Sequence, residues 1–367
     1  MDVYTLNDGF GREEIIEKFE SLIWTERYSQ FGDFELSVSD TAGMRELLQE
    51  GTLLSTPESR SVMILDTPDI EDGKIKVSGQ DLKGFLQNRI LWALAITGTW
   101  KKYWEITGAP GWIAGEIVRQ MCMPGGYLDG TALIPTADDE LFPNLIIGPT
   151  EVGDPVTIGV EYGNVYGGVK AVCDVYNLGF DLYPDNITDS DYDLIFTTWA
   201  GLDRTSTQDV NDVVIFEPAL DSLANTKELR SIAGYKNVAY AWAPSIDPPS
   251  YTVGTATTTD GATATGFNRR TLMVAADDIS TVPTGTTLEA ILVQRAKDAL
   301  ANNNYVRMVD GEIVPQKEFL YGLNYNLGDI IELRSDSGAA DKARITEYIR
   351  TQDASGERAY PTLSVIT

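Results

Sequence analysis

From Val3 to Gly79 apolar and polar positions alternate mostly with period two, the spacing of half-buried strands. Phe19, Ser21, Ile23 and Thr25 face one way and Glu20, Leu22, Trp24 and Glu26 the other. Mixed faces of this kind fit a small barrel or sandwich. The apolar run Val62 to Asp66, followed by IEDG and KIKVSG, predicts a hairpin turning at Asp72-Gly73. Asp81, Leu82, Phe85, Leu86 and Ile90 then fall at helical spacing. They predict a short helix over Gln80 to Ile90 that plugs one end or side of the barrel.

The period changes further on. Gly111 to Met121 and Gly167 to Asn177 are helical by pattern, whereas Thr157 to Glu161 and Tyr192 to Trp199 read as strands. Residues 96–205 are therefore expected to form an α+β insertion. Val213 to Ala243 returns to β, with VVIF and YKNVAYAWA as strands around a turn or short helix near Ala224 to Leu229. The Pro, Gly and Thr content of SIDPPSYTVGTATTTDGATATGFNRR marks a long exposed hairpin or loop, the preferred site for a protease. The strand RTLMVAADDI follows. Thr287 to Asn302 gives the clearest helix, with Leu288, Ile291, Leu292, Ala296 and Leu300 on one face. The expected organisation is a β-module with its helix at 1–95, the α+β insertion at 96–205, and a β-rich insertion at 206–285 holding the 245–266 loop. A helix and second β-module fill 286–367. The fold class is mainly β with an α+β insertion.

Two distant stretches, Phe19 to Gly79 and Met308 to Thr367, read as versions of one β-unit. An alternating strand (FESLIWTERY or VRMVDGEIV) passes through a Gly-Asp turn (YSQFGDFELSVS or YNLGDIIELRS) and a strand led by Gly51 or Gly328. A charged-ended hairpin closes each. A β-unit repeated across more than two hundred residues speaks of assembly more than of catalysis, and suggests a subunit presenting two similar surfaces to a ring.

Charge and composition narrow the function. The 367 residues carry 28 basic and 55 acidic side chains, a net charge of −27, which repels phosphate backbones and makes tight nucleic-acid binding unfavourable. The chain has no histidine, so Ser-His-Asp and Cys-His systems, His-ligated zinc and imidazole proton shuttles are excluded. Cys122 and Cys173 sit in expected helices without metal-ligand spacing and read as buried, reduced thiols. The N-terminal MDVYTLNDGFGREE lacks the basic and apolar regions of a Sec-type signal. No stretch approaches the roughly 18 apolar residues of a membrane span.

Candidate chemistry is sparse. Asp185, Asp189, Asp191 and Asp193 invite a calcium reading, but Leu194 stands where an EF-hand loop needs glycine and Ala200 where it needs the bidentate glutamate. A solvated turn entering a strand accounts for them. Asp277-Asp278 and the run Asp138, Asp139, Glu140 are expected at surface loops or helix N-termini. A glycosidase needs only two carboxylates, and among 55 the sequence selects no pair. GVEYGNVYGGV lacks the GxGxxG spacing of a dinucleotide site, and no GxxxxGK[ST] loop is present. Trp100, Tyr103, Trp104 and Trp112 could build a sugar platform, although core or interface packing is the plainer account. No catalytic, cofactor or metal residue is singled out.

FESLIWTERYSQFGDFELSVS, the strand led by Gly51 and SVMILDTPDIEDGKIKVSGQDLKGFLQNRI together resemble the start of tail-hub or minor tail proteins of long-tailed phages of Gram-positive bacteria. YGLNYNLGDIIELRSDSGAADKARITEYI followed by TLSVI resembles how these proteins end. The resemblance covers residues 15–95 and 285–367. It implies a baseplate-hub-like fold in which two tube-type β-barrels per subunit let a homotrimer imitate a six-fold ring. Such a ring would cap the tail tube, bind the distal tail protein, and adjoin the tape measure and tail-tip or receptor-binding proteins. No specific nucleic-acid binding and no membrane anchor are implied, and DNA would pass through an acidic bore. The resemblance also implies a non-enzymatic virion protein assembled in the host cytoplasm, without an appended peptidase. The alternatives are a peptidoglycan-acting glycosidase and a carbohydrate-binding adhesin.

Overall fold

A computed structural model describes residues 1–91, 103–123, 141–188, 191–244, 251–276, 279, 287–303, 306–314 and 318–366. Its contacts divide the chain into two compact units. The larger is Met1–Ser222, Ile313–Glu332 and Ala343–Ser364; the smaller is Leu223–Glu312, Leu333–Lys342 and Val365–Thr367.

The N-terminal alternation becomes β1 (Val3–Leu6), β2 (Arg12–Ile16), β3 (Ser21–Arg27), β4 (Asp33–Ser39), helix α1 (Ala42–Leu47), β5 (Leu53–Ser55), β6 (Met63–Glu71) and β7 (Lys74–Asp81). In β3 the inward row is Leu22, Trp24 and Glu26, while Ile23 is 40% exposed, as the period-two reading requires. Asp72 and Gly73 both have positive φ, 50° and 77°, so β6 and β7 join in the mirror-image turn that matches strand twist. The helix after β7 is a 3₁₀ helix, Leu82–Asn88, capped by Asp81. Its buried Leu82 and Leu86 join the core of the α+β region, and Ile90 is exposed.

That α+β region runs through β8 (Ile90–Leu91), β9 (Tyr103–Gly108), α2 (Pro110–Cys122), β10 (Leu145–Ile147), β11 (Val156–Glu161), β12 (Gly163–Asn164), α3 (Val165–Tyr176), β13 (Leu178–Asp185) and β14 (Asp193–Ala200). Both helices fall where the apolar periodicity places them. Proline opens α2, Asn164 caps α3, and Asn177 ends it in the left-handed conformation. They pack with the β10–β14–β13 sheet around Ile113, Ile117, Val169, Phe180 and Phe196.

Next come β15 (Ile215–Phe216), β16 (Leu223–Ser231), β17 (Val238–Pro244), β18 (Tyr251–Thr257), β19 (Thr271–Ala275), α4 (Leu288–Ala301), β20 (Val306–Ile313), β21 (Ile330–Arg334), β22 (Ala340–Asp353) and β23 (Gly356–Val365). Two expectations change here. Ala224 to Leu229 is extended within β16, because it pairs with β20. The Thr-rich stretch is not all loop, since Tyr251–Thr257 forms β18 against β17. The helix is as expected: Thr287 caps α4 by accepting from Ala290 N, and Asn302 closes it.

Strands of the two stretches read as a repeat join in one sheet, together with β1, β2 and β15 from outside them, in the order β15-β21-β22-β3-β4-β7-β6-β5-β1-β2 with β23 on β22. Its joint is antiparallel β22 on β3, Glu347 opposite Arg27 through Gln352 opposite Leu22. Gly51 and Gly328 share positive φ, 86° and 92°. The strand orders of the two stretches differ. β4 neighbours the second arm of its hairpin, β7, whereas β21 neighbours the first arm, β22, and β20 pairs with β16 instead.

Candidate functional site

The inward row of β3 carries a charge into the core, and the site grows from its partner. Glu26 is 8% exposed, and Arg350, from β22, donates from Nη1 to Glu26 Oε2 at 2.7 Å. Ser59 donates to the other carboxylate oxygen. The guanidinium lies 4.7 Å from the Tyr348 ring centroid, and Tyr348 stacks on Tyr321 at 3.7 Å. Burial pushes the Tyr321 hydroxyl well above its ordinary value. Such a pair is costly to desolvate, and it holds because every charged group in it has partners.

A second knot sits beside it. Asp81 caps the 3₁₀ helix, accepting from Lys83 N at 3.0 Å and Gly32 N at 2.6 Å, with Lys83 Nζ at 3.2 Å. Lys83 Nζ also donates to the Arg27 carbonyl at 3.0 Å and lies 3.9 Å from Asp181. Asp181, on β13, accepts from Arg60 Nε at 2.8 Å. Arg27 itself bridges Asp33 and Glu347 at 2.9 and 2.6 Å. Tyr28 accepts from Gly201 N at 3.1 Å and lies within hydrogen-bond reach of the Asn177 and Trp199 carbonyls. Asp329, next to Gly328, accepts from Leu202 N and from Arg204 Nε at 2.6 Å. Glu26, Arg350, Lys83, Asp181, Arg60 and Asp329 line a cavity of about 640 Å³ with Trp199 and Tyr183 on its wall.

Burial raises the Asp81 carboxyl to about 6, a shift of the kind seen in catalytic acids. The geometry argues otherwise. Asp81 is 2% exposed and both its oxygens accept from the protein, so a substrate has no approach to it. Glu26, Asp181 and Asp329 are likewise engaged by cations or backbone N–H groups. The seam is a clasp that ties β3, the 3₁₀ helix, β13 and β22 together.

The sequence candidates fall elsewhere. Asp185 accepts from Asn186 N, Asp193 from Asn186 Nδ2 at 2.6 Å, and Asp191 from Asn144 Nδ2 and Tyr192 N, so these carboxylates pin a turn. Among the described residues no cluster of acids or cysteines has metal-ligating geometry. Trp104 is buried at 6% exposure and Trp112 packs against the same core, which removes them as a sugar platform. Asp138, Asp139, Glu140, Asp189, Asp277, Asp278 and Trp100 lie outside the described residues. A groove of about 600 Å³ does run along GVEYGNVYGGV, between β11 and α3. Its glycines serve packing: a Cβ on Gly168 would meet Leu91 Cδ2 at 2.4 Å, and the Gly167 N–H is already given to Asn164 at 2.6 Å. Both cysteines are buried free thiols, and burial pushes Cys122 up to about 12 and Cys173 higher still.

No sequence signal announced the clasp, because Glu26 and Arg350 are 324 positions apart. A charge in an otherwise apolar inward row is the one hint the chain offers.

No curated protein matches the chain. Among solved structures, the 43 kDa tail protein of prophage MuSo2 from Shewanella oneidensis is 13% identical, with a TM-score of 0.56 over 99% of this chain and 98% of that one. The tail protein from Neisseria meningitidis MC58 is 11% identical, with a TM-score of 0.51 over 99% of this chain and 95% of that one. At such identities the likeness is one of fold. A sequence-family model described as Siphovirus ReqiPepy6 Gp37-like protein matches residues 1–363. The chain thus belongs to the Siphovirus ReqiPepy6 Gp37-like family.

Proposed function

We propose that this chain is a hub-type structural subunit of a siphophage tail. The carrying observation is the single sheet into which both end stretches are woven, with β22 in register on β3 and Arg350 clasped to Glu26. Such a joint makes a stiff frame and leaves its carboxylates committed to structure.

The finer reading takes the two end stretches as paired β-modules, although their strand orders differ. Three chains, each bringing modules at 1–95 and 286–367 around the insertions at 96–205 and 206–285, offer six similar faces to a six-fold tube. The ring would cap that tube, bind the distal tail protein and tape measure protein, and carry the tip or receptor-binding proteins. Its acidic wall would let outgoing DNA slide without sticking. Electron microscopy of tails labelled for this chain, with native mass measurement of the assembled ring, tests the reading. Three copies at the tail end are expected. Label along the whole tail, or clearing of host cell walls that depends on one carboxylate of this chain, would sink it.

A further inference from the structure

The smaller unit holds a surface of another kind. β17, β18 and β19 contain no Asp, Glu, Lys or Arg. Alternation along β17 turns Ala239, Ala241 and Ala243 toward α4, where they pack with Leu292, Ala296 and Leu300. The opposite face carries Tyr240 and Trp242. Register sets Val253 beside Trp242, and Thr255 and Met273 on either side of Tyr240. Tyr251, Val253 and Met273 are 67%, 48% and 69% exposed. Trp242 meets Tyr251 edge to face at 5.5 Å. One face of this sheet is covered by a helix, and the described residues leave the other open.

A face with aromatic, Val and Met side chains, no carboxylate in its strands and an arginine on the Tyr240 hydroxyl has the make-up of the centre of a protein–protein contact. A glycan site would want side-chain carboxylates or amides for sugar hydroxyls. These strands supply threonines instead, and the Tyr240 hydroxyl already accepts from Arg269 at 2.8 Å. Charge then selects the partner. The smaller unit has ten basic and 11 acidic residues, whereas the larger has 18 and 44, so nearly all of the −27 resides in the larger. Copies of so acidic a chain repel one another wherever carboxylates would face carboxylates. A face whose strands carry no carboxylate meets a neighbouring copy without that penalty.

We propose that the open face of the β17–β18–β19 sheet is the surface by which one copy of this chain packs on the next, which rests on the ring reading above. In a three-fold ring the contact is head to tail, this face meeting a different surface of the neighbour. Two strands of seven residues and one of five, at about 3.3 Å per residue and set about 5 Å apart, give a face of roughly 300 Å². A stable contact needs about 800 Å² per partner, so the free chain self-associates weakly. High salt screens the net charge and strengthens the association.

Sedimentation velocity of the full chain over rising concentration, at low and high salt, tests this against the double variant Val253→Glu/Met273→Glu. Both side chains are exposed, and circular dichroism with a melting curve checks that the variant is folded. The wild type should sediment faster with concentration, more so at high salt, and the variant should lose at least about tenfold in association constant. A wild type that stays monomeric throughout, or a variant that associates equally, overturns the proposal. Host cell-wall polysaccharide that quenches tryptophan fluorescence in the wild type alone would give the face to a glycan and overturn it too. Tails separate the two readings: if the double variant enters tails at three copies like the wild type, the ring stands and this face is not its contact.

Discussion

The two units solve the same packing problem with opposite materials. In the larger unit, Trp24, Phe34, Phe180 and Phe196 fill the cores, and a buried seam of ion pairs ties strands together. In the smaller, the sheet core is built from Ala239, Ala241, Ala243, Ala256 and Ala276 against Leu292 and Leu300. Alanines let α4 lie close; a Cβ on Gly254 would meet the backbone of Leu292 and Val293 within 2.5 Å. The first arrangement excludes alternatives by charge partnership, because a slipped strand would strand a carboxylate in the core. The second excludes them by close approach alone, and turns its large side chains outward.

Breaking the clasp should have the largest effect. Arg350→Met leaves Glu26 buried without its cation and should cost about 3–5 kcal/mol in denaturant unfolding, whereas Glu26→Leu/Arg350→Met together should recover most of it. If the single variant loses less than the double, the clasp is not what holds the joint. Leu292→Ala tests the other material and should cost about 3 kcal/mol, seen by calorimetry as a lower transition temperature. A cost below about 1 kcal/mol would mean that the alanine core closes over the gap.

Asp81 sharpens the contrast through pH. Its folded pKa of about 6 lies above its ordinary value of 3.8, with burial as the main cause. Its contribution is therefore fully present below the unfolded pKa and is lost as pH rises through about 6. Stability of the wild type relative to Asp81→Asn should grow by about 2 kcal/mol between pH 7 and pH 4. A flat difference would mean that the carboxyl stays ionised. The smallest effect is local: Gly73→Ala, at φ 77°, should cost about 1 kcal/mol and leave both cores intact.

What the sequence makes legible follows how locally each feature is encoded. The Asp72-Gly73 hairpin, α2, α3 and α4 are written in neighbouring residues, and the structure places them as read. β16 escapes because LANTKELRS is rich in helix formers, and its extended state depends on pairing with β20, some eighty residues on. β18 hides in low-complexity sequence although its threonines favour strand. The inside of β17 cannot be read from hydrophobicity, because alanines turn in while Tyr240 and Trp242 turn out. The motifs that carry the family resemblance lie in the end stretches, whereas the family model spans residues 1–363; the joint between the ends depends on pairs that no local pattern contains.

The β22–β3 joint also sets an order of events during synthesis. Arg27 and Glu347 are 320 residues apart, so β3 emerges from the ribosome long before the strand that covers its edge. Until then Leu22 to Arg27 offers backbone N–H and C=O groups to any passing strand, a known route to misassembly. Closing so long a loop is slow. A foreign strand that covered this face would have to bury the Glu26 carboxylate with no arginine to meet it.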